Sequence, residues 1–265
     1  MLYALCALRL LQPSSFVFSL FRVFVIILFF LFDVAFSVHR QVLTMIDLFN
    51  KYEQLVAKGD AAFETIEGDH GSCVKCKVGC SDCCHAIFGL FLIEAAYIQE
   101  HFNRLDRKVR REILANAEKY EKELQRVEER LQAHEDDPRM KSYALSKERV
   151  RCPLLNEDDE CIIYPHRPIT CRVYGIPTAI QGQARVCGKA AFESGKSYPT
   201  FDLDACYKEL YRLSKELLVQ MGESDMERAS LLISVAKVLK TPLEDIGAER
   251  KAKRVKSKAH SDKTV

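Results

Sequence analysis

Residues 73–85 read CVKCKVGCSDCCH, with thiols at Cys73, Cys76, Cys80, Cys83 and Cys84. Five cysteines within twelve residues do not fit a packing role, because a helix or strand would turn them to opposite sides. A Cys-x2-Cys turn instead sets two sulfurs on one small ion or cluster, within reach of backbone N–H donors. Disulfides are the other use of such density. Closely spaced thiols scramble in an oxidising compartment, so the spacing reads as metal-binding in a reducing one. Two such knuckles closing on one zinc need a loop of about a dozen residues between them. Here only Lys77, Val78 and Gly79 intervene. The stretch is therefore expected to complete its coordination with distant cysteines, and the fold must bring them in.

Those cysteines follow as Cys152, Cys161, Cys171 and Cys187. Pro153, Pro165 and Pro168 hold this segment extended and irregular, so that Cys161 and Cys171 can converge. Arg167 and Arg172 flank Cys171. As cofactor-binding residues they offset thiolate charge and lower thiol pKa values; pairing with the acidic run 157–160 is the alternative. Tyr164 and Tyr174 read as packing, and His166 is assigned no role. His85 reads as the start of a helix rather than a ligand. Cys206 lies on a helical apolar face with Leu203 and Leu210 and reads as core.

Cys80-x2-Cys83-Cys84, Cys152-Pro-Leu-Leu and Cys161-x-Ile-Tyr-x-x-Arg167-Pro168-x-x-Cys171-Arg172 resemble the YkgJ-type, or CxxCxxCC, family. Its members are mostly bacterial and described as zinc- or iron-chelating. The cysteine region of the flagellin lysine-N-methylases, linked to an iron–sulfur cluster, is similar. The resemblance covers residues 73–187 and implies Cys80, Cys83, Cys84, Cys152, Cys161 and Cys171 as ligands. Cys73, Cys76 and Cys187 are additional candidates. The strict motif has two residues between its second and third cysteines, whereas Cys76 and Cys80 have three, which leaves Cys73 and Cys76 as alternatives. Nine thiols exceed the needs of one four-coordinate ion, so either two sites exist or one cluster sits beside spare thiols. Structural zinc and iron–sulfur clusters both take four thiolates. The short spacing resembles ferredoxin runs and favours a 4Fe–4S cluster over zinc.

Outward from the cysteines the chain reads as helical. Residues 45–67 carry Phe49, Tyr52, Val56 and Phe63 on one stripe, ended by the glycines at 68 and 71. Residues 85–105 read as a second helix, strongly apolar from 87 to 93. Residues 106–134 give the cleanest pattern: Val109, Ile113, Ala117, Tyr120, Leu124, Val127 and Leu131 form a narrow seam among charged residues. A short helix to residue 147, an irregular proline-rich stretch over 151–200, and helices over 202–221 and 225–240 follow. The predicted fold is mainly α: a helical bundle enclosing irregular cysteine-rich metal-binding loops. Residues 45–248 form its single domain.

The ends differ in texture. Residues 1–44 hold 31 apolar residues and four charges. They read as a start assigned too far upstream of Met45, or as a signal anchor interrupted by Arg22, or as a cleaved signal peptide. Residues 249–265, with seven basic and two acidic residues, read as a disordered basic tail. Overall 48% of residues are hydrophobic, 29% are charged and the net charge is +2. This excludes a polytopic membrane protein, a disordered chain and a general nucleic-acid grip. The expected location is cytoplasmic, or membrane-anchored with the remainder in the cytoplasm if residues 1–44 are an anchor.

Three functions are open from sequence. The first is a metal- or cluster-binding protein acting in redox or metal handling. The second is an iron–sulfur-dependent protein methylase-like enzyme, although no GxGxxG loop, nucleophile elbow or methyl-donor loop is found. The third is a zinc-stabilised interaction module.

Overall fold

The computed structural model describes residues 15–77 and 79–247, with side chains from Leu43 onward except that of Pro138. The reading of 249–265 as a disordered tail lies outside the described residues. The chain divides into two compact units, residues 1–46 and 47–265. Among the described residues no helix is long and apolar enough to cross a membrane.

Seven helices and one small sheet make up the described chain: α1 (Ser15–His70), α2 (Leu92–Asn103), α3 (Arg107–Leu131), α4 (Pro138–Lys147), α5 (Ile169–Val173), α6 (Leu203–Gln220) and α7 (Val235–Lys240). The fold is mainly α, as the sequence predicts. Helix starts follow their capping residues. Asp106 accepts from Lys108 N, Asp137 from Arg139 N and Met140 N, Asp202 from Ala205 N, and Ser234 from Lys237 N.

In the second unit α2 packs on α6 and α7, and α3 packs on α7. The seam of α3 is buried at Ile113, Ala117, Tyr120, Val127 and Leu131. Ser214 on α6 accepts from Ile93 N, and Gln99 on α2 donates to the carbonyls of Val238 and Thr241. These bonds fix α2 between its neighbours by satisfying helix-end groups that packing alone would leave open. On α1, Gly59 leaves room for α5: a Cβ there would lie 3.3 Å from Val173 Cγ1.

Three local readings are corrected. Helix α1 runs through Gly68 to His70 rather than stopping at 67. Helix α2 begins at Leu92, not at 85. Leu90 instead pairs with Ile233 through two backbone hydrogen bonds of 2.8 and 2.9 Å. A continuous apolar run suits a buried extended segment as well as a helix, and the pairing decides. The same bridge interrupts the helix expected over 225–240, leaving a 3-10 turn at Met226–Ser230 and then α7.

The proline-rich stretch lacks long elements but folds a three-stranded sheet, β1 (Thr178–Ile180), β2 (Gln183–Arg185) and β3 (Phe201–Asp202), in the order β2-β1-β3. β1 and β2 are antiparallel, with Ile180 opposite Gln183. Gln181 and Gly182 join them with φ of 51° and 71°, the left-handed pair that a two-residue hairpin requires.

Candidate metal centre

Cys83 and Cys84 sit on a 3-10 turn, Asp82–His85, and both are buried. The segment carrying Cys152 is bonded to this turn: Cys152 N donates to Cys84 O at 2.7 Å and Val150 N to His85 O at 3.0 Å. The chain then doubles back. The Asn156 side chain accepts from Asp158 N and Glu160 N, and Ile162 N donates to Leu154 O. This hairpin sets Cys161 against Leu155. Pro168 opens α5, whose first turn carries Cys171.

Cys83, Cys84, Cys152, Cys161 and Cys171 thus line one cavity of about 30 Å3, together with Tyr120, Arg167 and apolar side chains. They also pack as one cluster with Leu155 and Tyr174. Within it Cys83 is hydrogen-bonded to Cys171 and Cys84, and Cys84 also to Cys161. These bonds, with Arg167 nearby, hold the Cys83 thiol well below its ordinary range. The bond from Cys84 lowers Cys161 likewise. Contact with the neighbouring thiols, together with burial, pushes Cys84 and Cys171 far up. Burial raises Cys152 to about 12.

A second, smaller cavity of about 10 Å3 lies beside the first. Its lining includes Cys76, Cys80, Asp82, Cys83, Tyr174 and Cys187. The β1–β2 hairpin returns the chain so that Cys187 Sγ donates to Asp82 Oδ2 at 3.2 Å. Burial pushes Cys76 up to about 11, with neighbouring Cys80 and Cys83 adding to the rise. Cys83 lines both cavities.

The nine cysteines do not all converge. Five line the inner cavity, and Cys76, Cys80 and Cys187 meet Cys83 in the outer one. Cys73 lies outside both, 3.9 Å from Ser72 Oγ. Arg167 faces the inner thiols and stacks over the Tyr164 ring at 3.7 Å. Arg172 points elsewhere: it donates to both carboxylate oxygens of Asp60, at 3.1 and 2.7 Å, and to the carbonyls of Arg167 and Pro165. His85 Nδ1 is 3.0 Å from Ser81 O and lines neither cavity. Cys206 is buried on α6.

Two acids escaped the sequence reading. Asp82 stands next to Cys83, where an acid within a thiol run was the available signal. Glu94 is buried, accepting from Phe91 N at 3.1 Å and Ile169 N at 3.2 Å. Its signal was an acid inside an apolar run.

Among the described residues, no three His, Cys, Asp or Glu side chains already converge on one metal-sized point. Two features nonetheless fit a thiophilic metal. The inner donor set is five thiols from three chain segments around one buried space. The Nε of Arg167 on that wall is buried with no protein partner, a donor left for an anionic group. Fold and site together define a helical domain of the thiol-gathering class. Within it, residues 75–188 match the CxxCxxCC family, described as a "putative zinc- or iron-chelating domain". No curated protein and no solved structure matches the chain.

Proposed function

We propose that the protein chelates iron or zinc at the inner thiol group, for use in redox or metal handling. The observation that carries this is the convergence of Cys83, Cys84, Cys152, Cys161 and Cys171 on one buried cavity that Arg167 also lines. Four of these thiols would hold the metal, and the fifth is a reserve ligand. Arg167 would offset the thiolate charge, which is costly to bury unpaired. Arg172, anchored on Asp60, holds the carbonyls of Pro165 and Arg167 and so positions the loop between Cys161 and Cys171.

A bound iron–sulfur cluster would supply one-electron chemistry, and zinc a structural crosslink. The dense cysteine spacing favours the cluster.

Anaerobic purification followed by visible spectroscopy and metal analysis tests the proposal. Iron with a broad visible absorption supports a cluster of thiolate-bound iron and sulfide. Stoichiometric zinc in a colourless protein supports a single ion. A reduced protein that takes up neither metal refutes chelation.

A further inference from the structure

We propose that the stacked imidazoles of His101 and His166 are a clamp that holds the Arg167 loop against the inner cavity, and that acid opens it and loosens the site. The inference rests on the chelation reading and deepens it by naming how that site is regulated. His101 is then a positioning residue, acting on the thiol group through His166 and Arg167.

Geometry is the first argument. His166 ends the 3-10 turn Tyr164–His166, between Cys161 and Cys171 and directly before Arg167. His101 lies in the last turn of α2. Their ring centroids are 3.4 Å apart, with 9° between the planes. Tyr97, one turn earlier on α2, sets its ring edge-on to both, at 4.4 Å from His101 and 5.8 Å from His166. The Tyr97 hydroxyl donates to Glu53 Oε1 on α1 at 2.8 Å and lies 3.3 Å from His166 Nδ1. With the hydroxyl proton on Glu53, that second bond requires a proton on Nδ1 and leaves Nε2 as the basic nitrogen. Arg172 on α5 donates to the carbonyls of Pro165 and Arg167. Two helices thus grip one short turn, and the residue after it lines the inner cavity.

Charge is the second argument. Both rings are half-buried, so protons reach them. Facing the pair are Glu53 from α1, Tyr97, Glu100 and Arg104 from α2, and Arg172 from α5. Glu100 is bonded to Arg104 at 2.5 Å, Glu53 to Tyr97, and Asp60 to Arg172. Neutral imidazoles stack, whereas two imidazolium rings one ring-thickness apart repel. Burial first, then His166 and Arg104, hold His101 below its ordinary value of 6.5. Burial first, then Arg172, does the same for His166. The clamped form therefore excludes protons that the open form accepts. The clamp is complete above about pH 6.5 and is lost as the pH falls through the lowered values. The open population then rises by up to about tenfold per pH unit for each proton excluded. Release of His166 frees the adjacent Arg167, whose Nε is buried on the cavity wall with no protein partner.

The test reads amide hydrogen exchange at His166 and Arg167 in the reduced full-length chain, corrected for the intrinsic pH dependence of exchange. These amides donate to the carbonyls of Ile163 and Tyr164, at 2.8 and 3.4 Å. Between about pH 7.5 and 5, where histidine titrates, wild type is expected to lose their protection. His101→Phe keeps a ring in the stack that takes no proton, and is expected to retain it. His101→Ala, with no ring, is expected to lack it throughout. Zinc release from the zinc-loaded chain to a chelator should accelerate more steeply with acid in wild type than in His101→Phe, because acid acting on the thiols alone affects both alike. Protection that does not change with pH in wild type overturns the clamp. So does an equal loss in His101→Phe, or full protection in His101→Ala. Zinc release equally acid-dependent in both chains overturns its control of the site. A chain that takes up no metal overturns chelation, while the amide protection still decides the clamp.

Discussion

Glu94 ties the helical scaffold to the thiol loop, and its charge should make stability pH-dependent. It is 2% exposed on α2. Its two oxygens accept from Phe91 N and from Ile169 N, the first residue of the helix that carries Cys171. Burial raises its pKa from 4.5 to about 7, outweighing the lowering by the two backbone donors. A folded-state pKa above the unfolded one means the folded protein binds this proton more tightly. The associated stability is fully present below about pH 4.5 and is lost as the pH rises through about 7. At about 1.4 kcal/mol per pH unit the loss is on the order of 3 kcal/mol. Tyr52, Cys206 and Tyr207, which face the same carboxyl, are themselves raised and stay neutral across this window.

Glu94→Gln removes the titration while keeping the shape. It leaves one backbone N–H facing an amide nitrogen, at a cost of about 1–3 kcal/mol. The variant should therefore be clearly less stable than wild type at pH 5. Wild type loses about 3 kcal/mol of this advantage by pH 8 as it gives up its proton, so the difference should vanish or change sign. Urea unfolding at matched metal loading across this range measures it. A difference independent of pH refutes the assignment of Glu94 as the titrating group, and a difference that widens with pH refutes the sign.

Arg167→Met should weaken metal retention in chelator competition roughly ten- to a hundredfold, from the loss of about 1.5–3 kcal/mol of charge-assisted bonding; unchanged retention would show that Arg167 serves only Tyr164. Asp60→Asn keeps an acceptor for Arg172, whose side chain is 10% exposed against 41% for Asp60. It should lower stability by about 1 kcal/mol, and a melting temperature equal to wild type counts against the anchor. Gly175→Ala should cost about 1–3 kcal/mol by overpacking Cys76; unaltered urea unfolding would mean that residues 174–176 shift freely.

The sequence made legible whatever depends on periodicity. The α3 seam and the α6 face are read from spacing alone, because one face of each meets the core. The sheet is not legible in this way, since its strands are two or three residues long. Its one local mark is the Gln181-Gly182 turn. The segment around Leu90 is ambiguous for a different reason: its partner Ile233 is 143 positions away, and no local pattern reports that pairing. For the site, the identity of the cysteines was legible but their partition was not. Cys152 reaches Cys84 through a backbone hydrogen bond, and Cys187 reaches Asp82 through a hairpin. Both are tertiary facts that chain spacing does not encode.

The adjacent pair Cys83-Cys84 explains why the partition falls where it does. On a 3-10 turn there are about three residues per turn, so neighbouring side chains point about 120° apart. Two adjacent thiols on such a turn reach one small cavity from different bearings. Cys84 faces the inner group alone, where it bonds Cys161 and Cys83. Cys83 is left on the boundary, lining the inner and the outer space together. Asp82, one step earlier on the same turn, is carried round to the outer side, where it meets Cys187. The bearing of each ligand follows from its place on one short turn. A Cys-x2-Cys knuckle alone would serve one centre, whereas a terminal doublet on a 3-10 turn gives thiols to both sides of a wall.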